Sequence, residues 1–329
     1  MKTLRLILGD QLCPVGDSPV RSTSIHSVTA QTPGGTAALR IAGDLLKRVY
    51  RVGSLWMSNP TWANHKQIFD MVGLNIKTYD YLDDNGTGLD FDKVLASLET
   101  ANVNDAVLLH AVCHNPTGVD FDPDQWQQIN QLLRDKSLVP IFDFAYQGFG
   151  EGVEQDATPI REYCRAGGEG FICNSFSKNF GLYGERVGGI TAVASSAESA
   201  AAVLSQIKLQ IRTMYSNPPV HGGAIVSTVL ADEAMRSQWV GELAEMRDRI
   251  KQLRARFVEI VNGITPTQDF EYVNQQRGMF SYSGLSREQV DRLKKEHGIY
   301  ALGTGRVNIA GLNSSNIDRV CEAIAEVIR

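Results

Sequence analysis

The chain of 329 residues predicts an α/β protein: a mostly parallel sheet covered by helices, followed by a smaller α+β unit. Three observations carry that prediction. Between Leu55 and Cys173 short apolar runs alternate with stretches of helical spacing, the pattern of a parallel sheet with helices on both faces. Three successive strand ends in that region run into polar loops, and parallel strands present their carboxyl ends along one edge, where ligands bind. From Asp232 onward the texture changes to one long helical stripe and then to short mixed segments.

Composition narrows the function before any motif does. A chain of this length suggests about two domains with ample apolar content for a core. The net charge of −5 invites neither nucleic acid nor an anionic membrane surface. The five cysteines are scattered without C-x-x-C spacing, so neither a disulfide framework nor a metal site is expected, and a reducing cytoplasm fits. Leu4 to Leu8 is too short and too charged to span a membrane.

In chain order, residues 1–28 form a leader whose Cys13-to-Ser24 stretch has turn and linker composition, with Leu4 to Leu8 as a strand candidate. Thr32-Pro-Gly-Gly-Thr36 then precedes a helix over Ala37 to Arg48, with Thr36 as its N-cap. Gly34 and Gly35 opening a helix offer bare N–H groups and a positive dipole end to an anion, or form an ordinary loop-to-helix turn. The alternating units follow: strand Leu55 to Met57, helix Asn64 to Val72, strand Ile76 to Tyr79, a turn at Asp83 to Gly86, and helix Phe91 to Leu98. Next come strand Ala106 to Val112, helix Pro123 to Leu133, strand Leu138 to Phe142, helix Pro159 to Arg165 and strand Gly170 to Cys173.

The strand ends hold the chemistry. The run ending at Val112 enters Cys113-His-Asn-Pro-Thr-Gly118, the run ending at Phe142 enters Asp143-Phe-Ala-Tyr146, and the run ending at Cys173 enters a Gly-rich loop containing Lys178. Ser175 and Ser177 offer hydroxyls there, and Arg186 a planar fork suited to bidentate phosphate binding. A lysine flanked by phosphate ligands suggests a Schiff base with pyridoxal phosphate. Each residue has an ordinary alternative: Asn115 as a turn residue before Pro116, Asp143 as a helix cap, Tyr146 and Trp62 as core aromatics, Lys178 as a surface lysine. A carboxylate, an amide, a phenol, an amine and a guanidinium converging on one edge argue for a site.

The second half reads as a long helix from Asp232 to Val261, with Trp239, Leu243, Met246, Ile250, Leu253, Phe257 and Ile260 as a single apolar stripe. The segments after it are Phe270 to Val273, Gly278 to Tyr282, helix Arg287 to Glu296, Ile299 to Leu302, Gly305 to Ile309 and helix Ser315 to Ile328. Together they suggest a division into the leader (1–28), a large domain (29–231), and the long helix with a small C-terminal domain (232–329).

From about Thr29 to its end the chain resembles the aspartate and aromatic amino acid aminotransferases, the fold-type I pyridoxal-phosphate enzymes. The matching motifs are Gln31-Thr-Pro-Gly-Gly-Thr36, Asn59-Pro-Thr-Trp62, Cys113-His-Asn-Pro-Thr-Gly118, Asp143-Phe-Ala-Tyr-Gln-Gly148, Ser175-Phe-Ser-Lys-Asn-Phe-Gly181, Tyr215-Ser-Asn-Pro-Pro219 and Gly305-Arg-Val-Asn308. The resemblance implies a three-layer fold, pyridoxal 5′-phosphate as cofactor, and transamination between an amino acid and 2-oxoglutarate. It implies that Lys178 forms the internal aldimine and then serves as base and acid. Asp143 would hold the pyridine nitrogen protonated, Asn115 and Tyr146 would bond the phenolic oxygen, and Trp62 would stack on the ring. Gly34, Gly35, Thr36, Ser175, Ser177 and Arg186 would form the phosphate site. Arg306 would clamp the substrate α-carboxylate, Arg212 would reach the side-chain carboxylate from the neighbouring subunit of a homodimer, and Phe280 would form an apolar wall.

Family members carry a longer region before the Thr-Pro-Gly-Gly motif, and the leader here does not resemble it. Met1 to Leu12 is instead similar to the opening of photolyase-related proteins over a short span. Three readings stay open on the sequence: a working aminotransferase, a related enzyme running another pyridoxal-phosphate reaction, and a truncated relic that binds cofactor without efficient turnover. Arg212 and Arg306 together favour the first over the second, and aspartate and aromatic substrates remain alternatives within it.

Overall fold

The computed structural model describes residues 25–265 and 268–329. Most of the leader, with Cys13 and the strand expected over Leu4 to Leu8, lies outside the described residues. In chain order the first elements are β1 (His26–Thr32), α1 (Gly34–Leu45), β2 (Leu55–Asn59), α2 (Ala63–Val72), β3 (Ile76–Asp80), α3 (Phe91–Glu99), β4 (Ala106–His110), α4 (Pro123–Asp135), β5 (Val139–Phe144), α5 (Thr158–Arg165) and β6 (Gly170–Ser175). They continue with β7 (Gly188–Ala194), α6 (Ala197–Met214), α7 (Val220–Ala231), α8 (Glu233–Ile264), β8 (Phe280–Tyr282), α9 (Arg287–His297), β9 (Arg306–Asn308) and α10 (Ile317–Ile328).

Seven strands form one sheet in the order β1-β7-β6-β5-β4-β2-β3, and β8 and β9 form a separate antiparallel ribbon. Within the large sheet only β7 runs against its neighbours, β1 and β6. The carboxyl ends of β1, β2, β4, β5 and β6 therefore share one edge, as the alternation of the sequence requires.

Both faces of the sheet are covered, because its strands are apolar on both sides rather than alternating. Leu55, Met57, Leu108, Ile141 and Phe171 pack on one face with Leu39, Ile41 and Leu45 of α1. Trp56, Val107, Leu109, Phe142 and Ile172 pack on the other with α3, α4 and α8. The result is three layers, and the predicted α/β class with a small C-terminal sheet holds.

Several local expectations do not. β1 begins at His26, inside the stretch read as leader. α1 starts at Gly34 with Pro33 as N-cap, so Thr36 lies in the first turn and caps nothing. Ile299 to Leu302 forms no strand, and the Phe270 region is a short 3-10 turn over Glu271–Gln275. On α8 the buried stripe runs through Trp239, Leu243, Ile250, Arg254, Phe257, Val258 and Val261, while Met246 is exposed. The stripe drifts because 3.6 residues per turn does not match a strict step of three and four over 32 residues.

Candidate active site

One pocket of about 300 Å³ opens at the shared strand edge. It is lined among others by Gly35, Thr36, Trp62, His110, Asn115, Asp143, Tyr146, Ser175, Ser177, Lys178, Arg186, Phe280 and Arg306. The five strand ends deliver these groups in turn. β1 leads into the glycines of α1, β2 into Trp62, β4 into Asn115, β5 carries Asp143 and leads to Tyr146, and β6 leads to Lys178.

The first corner suits an anion. Pro33 offers no side-chain cap, so the first-turn N–H groups of α1 have no side-chain partner. Gly34 adopts φ +79°, and a Cβ on it would collide with the Arg186 guanidinium, so only glycine lets helix start and arginine approach so closely. Arg186 is held by two backbone carbonyls, donating from Nη1 to Tyr183 at 2.8 Å and from Nη2 to Pro33 at 3.2 Å. Ser175 and Ser177, both buried, stand beside it at the end of β6.

The second corner is an amine facing a carboxylate. The Lys178 Nζ lies 4.5 Å from the centre of the Tyr146 ring. Burial pulls this ammonium below the ordinary lysine value, Asp143 draws it back up, and Arg186 pushes it further down. Burial pushes the Asp143 carboxyl up, yet the hydrogen bond and charge of His65, with help from His110 and Lys178, hold it below the usual carboxylate range. Asp143 thus stays an anion deep in the protein.

Sequence reasoning missed the residues behind that anion. The His65 Nε2 sits 2.9 Å from Asp143 Oδ2, and its Nδ1 is 2.8 Å from the Thr61 hydroxyl. His65 lies on the inner face of α2, three positions after Trp62, and nothing in the sequence sets it apart from a solvent-facing histidine. His110, at the end of β4, lies between His65 and His114 with ring centres 5.0 and 4.2 Å away, tilted to the first and edge-on to the second. Burial drives His110 down to about 3, so its imidazole is neutral. His65, His110 and Asp143 bring three ligand atoms within 4.8 Å of one another. Lys178, Arg186 and Arg306 line the same pocket, and that positive surround favours an anionic ligand over a divalent cation.

The third corner lies against the C-terminal part. Arg306 Nη1 donates to Asn115 Oδ1 at 2.9 Å, and its guanidinium stacks 4.2 Å from the centre of the Phe280 ring. Asn115 also reaches the Tyr146 hydroxyl at 3.5 Å, and Tyr146 meets Phe280 edge to face. Trp62 stands edge-on to His65 at 5.1 Å. Of the residues singled out in the sequence, Gly34 lies just behind the lining, against Arg186, and Arg212 stays away from this pocket. It is exposed in the last turn of α6 and bonds Ser216.

The family described as aminotransferase class I and II matches residues 19–324. The aspartate aminotransferase of Haemophilus influenzae is 49% identical over 300 residues, covering 91% of this chain and 76% of its own length. The aromatic-amino-acid aminotransferase of Escherichia coli is 46% identical over 300 residues, covering 91% and 76%. Among solved structures, the aromatic-amino-acid aminotransferase of Burkholderia pseudomallei, covalently bound to pyridoxal phosphate, superposes with a TM-score of 0.94. It shares 46% identity over 100% of this chain and 82% of that one. The mitochondrial aspartate aminotransferase of Trypanosoma brucei gives 0.92 at 37% identity, over 100% and 85%.

Proposed function

Since this chain belongs to the class I and II aminotransferases, we propose that it transfers the amino group of aspartate or glutamate to a 2-oxo acid such as 2-oxoglutarate, with Lys178 at the centre of the reaction. Its cofactor is pyridoxal 5′-phosphate. The observation that carries the reading is one pocket holding a buried amine, an ionised buried carboxylate and an uncapped helix start beside a guanidinium. Those are the partners that an aldehyde, a pyridinium and a phosphate require.

When bound, the cofactor supplies an electron-withdrawing ring conjugated to the substrate Cα, which acidifies the Cα proton. The protein's residues do the rest. Gly34, Gly35, Thr36, Ser175, Ser177 and Arg186 hold the phosphate. Asp143, kept anionic and oriented by His65, pairs with the ring nitrogen. Asn115 and Tyr146 bond the phenolic oxygen, and Trp62 covers the ring face. Lys178, depressed by burial, is neutral over a wider pH range than an exposed lysine, so it can act as nucleophile and then move the proton at Cα. Arg306 pairs with the substrate α-carboxylate.

Arg212 serves the side-chain carboxylate of a substrate held by a second copy, which makes the active form a homodimer. Phe280 and Trp62 form an apolar wall that also accepts aromatic side chains, a second reading supported by relatives of both kinds. We place the reaction in cytoplasmic amino acid metabolism. The cofactor-binding unit spans 29–231, and the long helix with the small C-terminal unit spans 232–329. Among the described residues no helix is long and apolar enough to cross a membrane.

The test is to load the protein with pyridoxal phosphate, reduce it with borohydride, map the labelled peptide, and measure turnover of aspartate with 2-oxoglutarate. A pyridoxyl group on Lys178 with turnover is expected. A label on another lysine defeats the site assignment, and a label on Lys178 without turnover of any amino acid points to the cofactor-binding relic.

A further inference from the structure

Arg254 occupies a place on α8 where the apolar stripe calls for a hydrophobic side chain. It is 3% exposed and lies one turn from Ile250, Phe257 and Val258. Its Nη2 donates to the Gly278 carbonyl and its Nε to the Ser281 hydroxyl at 3.2 Å. Among the described residues no carboxylate forms an ion pair with it. Burial lowers this guanidinium to about 10, with Cys113 and Asp120 drawing it back up. A buried charge lacking a counter-ion is costly, and an apolar residue of similar volume is often as stable in such a place.

The two bonds end on the segment that shapes the substrate side of the pocket. Gly278 adopts φ +79°, and a Cβ on it would fall 2.8 Å from Cys113 Sγ. The Arg277 N–H donates to the Gly118 carbonyl at 2.6 Å. The segment is therefore pressed flat on the Cys113-to-Gly118 loop that carries Asn115. At its other end Phe280 pairs with Asn308, and Ser281 with Val307, beside Arg306. This short segment, from the bend at Gly278 into β8, thus holds Phe280 under the guanidinium that reaches Asn115.

The other end of α8 is fixed to the lysine loop. Trp239 Nε1 donates to the Asn179 carbonyl at 2.7 Å, next to Lys178, and its ring stacks on Phe180 at 4.6 Å. Trp239 and Arg254 are about 22 Å apart along a straight helix rising 1.5 Å per residue. A single rigid element thus contacts the loop of the catalytic amine and the segment beneath the carboxylate-binding guanidinium.

We propose that Arg254 is a positioning residue: it clamps residues 278–281 to α8 and so sets Phe280 and Arg306 in register with Lys178 for binding the substrate carboxylate. This rests on the reading of Arg306 given above. Arg254 does not touch the cofactor-binding residues, so its loss acts on amino acids and 2-oxo acids alike, since both carry the α-carboxylate.

The test compares Arg254→Met, Arg254→Lys and Arg306→Lys as holoenzymes in steady-state kinetics, with the cofactor absorbance spectrum and thermal melting recorded beside them. Arg254→Met should raise KM for glutamate and for 2-oxoglutarate by about tenfold while kcat stays within about twofold, the split expected for lost binding rather than lost chemistry. Arg254→Lys, which keeps one donor, should recover part of the loss. Should Arg254→Met fail to fold, Ser281→Ala removes one end of the clamp and should raise KM in the same direction. Parent-like KM values in Arg254→Met overturn the proposal, as does a drop in melting temperature or cofactor absorbance that accounts for the change. If Arg306→Lys also leaves KM unchanged, the fault lies with the carboxylate site itself. If Arg306→Lys raises KM and Arg254→Met does not, the fault lies with Arg254 alone.

Discussion

Asp143 is a buried carboxyl and Asp120 a half-buried one, and their surroundings drive them in opposite directions. Asp143 has a histidine at hydrogen-bond distance and is held low. Asp120 accepts N–H bonds from Cys113 and His114, yet burial outweighs them and raises it from 3.8 to about 6. A carboxyl raised on folding makes the native state bind more protons, so its effect is to lower stability as pH rises from the unfolded value through the folded one. Across that window the shift amounts to about 3 kcal/mol at about 1.4 kcal/mol per unit. Asp120→Asn should therefore flatten the pH dependence of melting between pH 4 and 7 relative to the parent, and parallel curves would refute the assignment. His65→Ala acts through Asp143. With its partner gone, the Asp143 carboxyl rises, and the acid limb of the kcat/KM profile should move to higher pH. Asp143→Ala should cost on the order of 10²- to 10³-fold in kcat, the scale of losing one preorganised charge partner. An unshifted acid limb in His65→Ala would separate the two residues.

At the scale of elements, α8 contributes to stability unevenly along its length. Phe257 is 1% exposed between α8 and the C-terminal helices, whereas Met246 is 40% exposed. Truncating a buried phenylalanine removes its transfer free energy and leaves a cavity, so Phe257→Ala should cost about 3 to 5 kcal/mol in urea unfolding. Met246→Ala should stay within about 0.5 kcal/mol. Equal losses would mean that the apolar stripe is the one the heptad-like spacing suggested, not the one the packing made. The site is sensitive to elements for the same reason. Asn115 and Lys178 hang on loops whose positions are fixed by buried strands on one side and by α8 on the other.

At the scale of the whole molecule, a single chain does not complete the proposed dicarboxylate site, because Arg212 is absent from the pocket's lining. If a second copy supplies it, two inactive variants should complement. Lys178→Ala and Arg212→Ala chains, refolded together, give mixed dimers in half of random pairings, each with one complete site. Aspartate turnover should then return to about a quarter of the parent's, against little from either variant alone. No recovery, in a mixture shown by sedimentation to be dimeric, would assign side-chain recognition to residues of the same chain.

The sequence by itself determined the layered α/β class and the line of groups along one sheet edge. Alternating apolar runs fix strand and helix, and parallel strands must align their carboxyl ends, so Asn115, Asp143 and Lys178 fall together along one edge. Motif order added the cofactor. It did not determine β1 or β7: β7 is an antiparallel strand among parallel ones, and its Gly188-to-Ala194 run opens on two glycines that merge with the Gly-rich loop before it, while β1 lies where linker composition gives way. His65, His110 and Arg254 were equally illegible. A polar side chain on a helix or strand reads as solvent-facing until packing shows what covers it, and only the tertiary structure decides which of them is buried, what it bonds, and hence whether its charge survives.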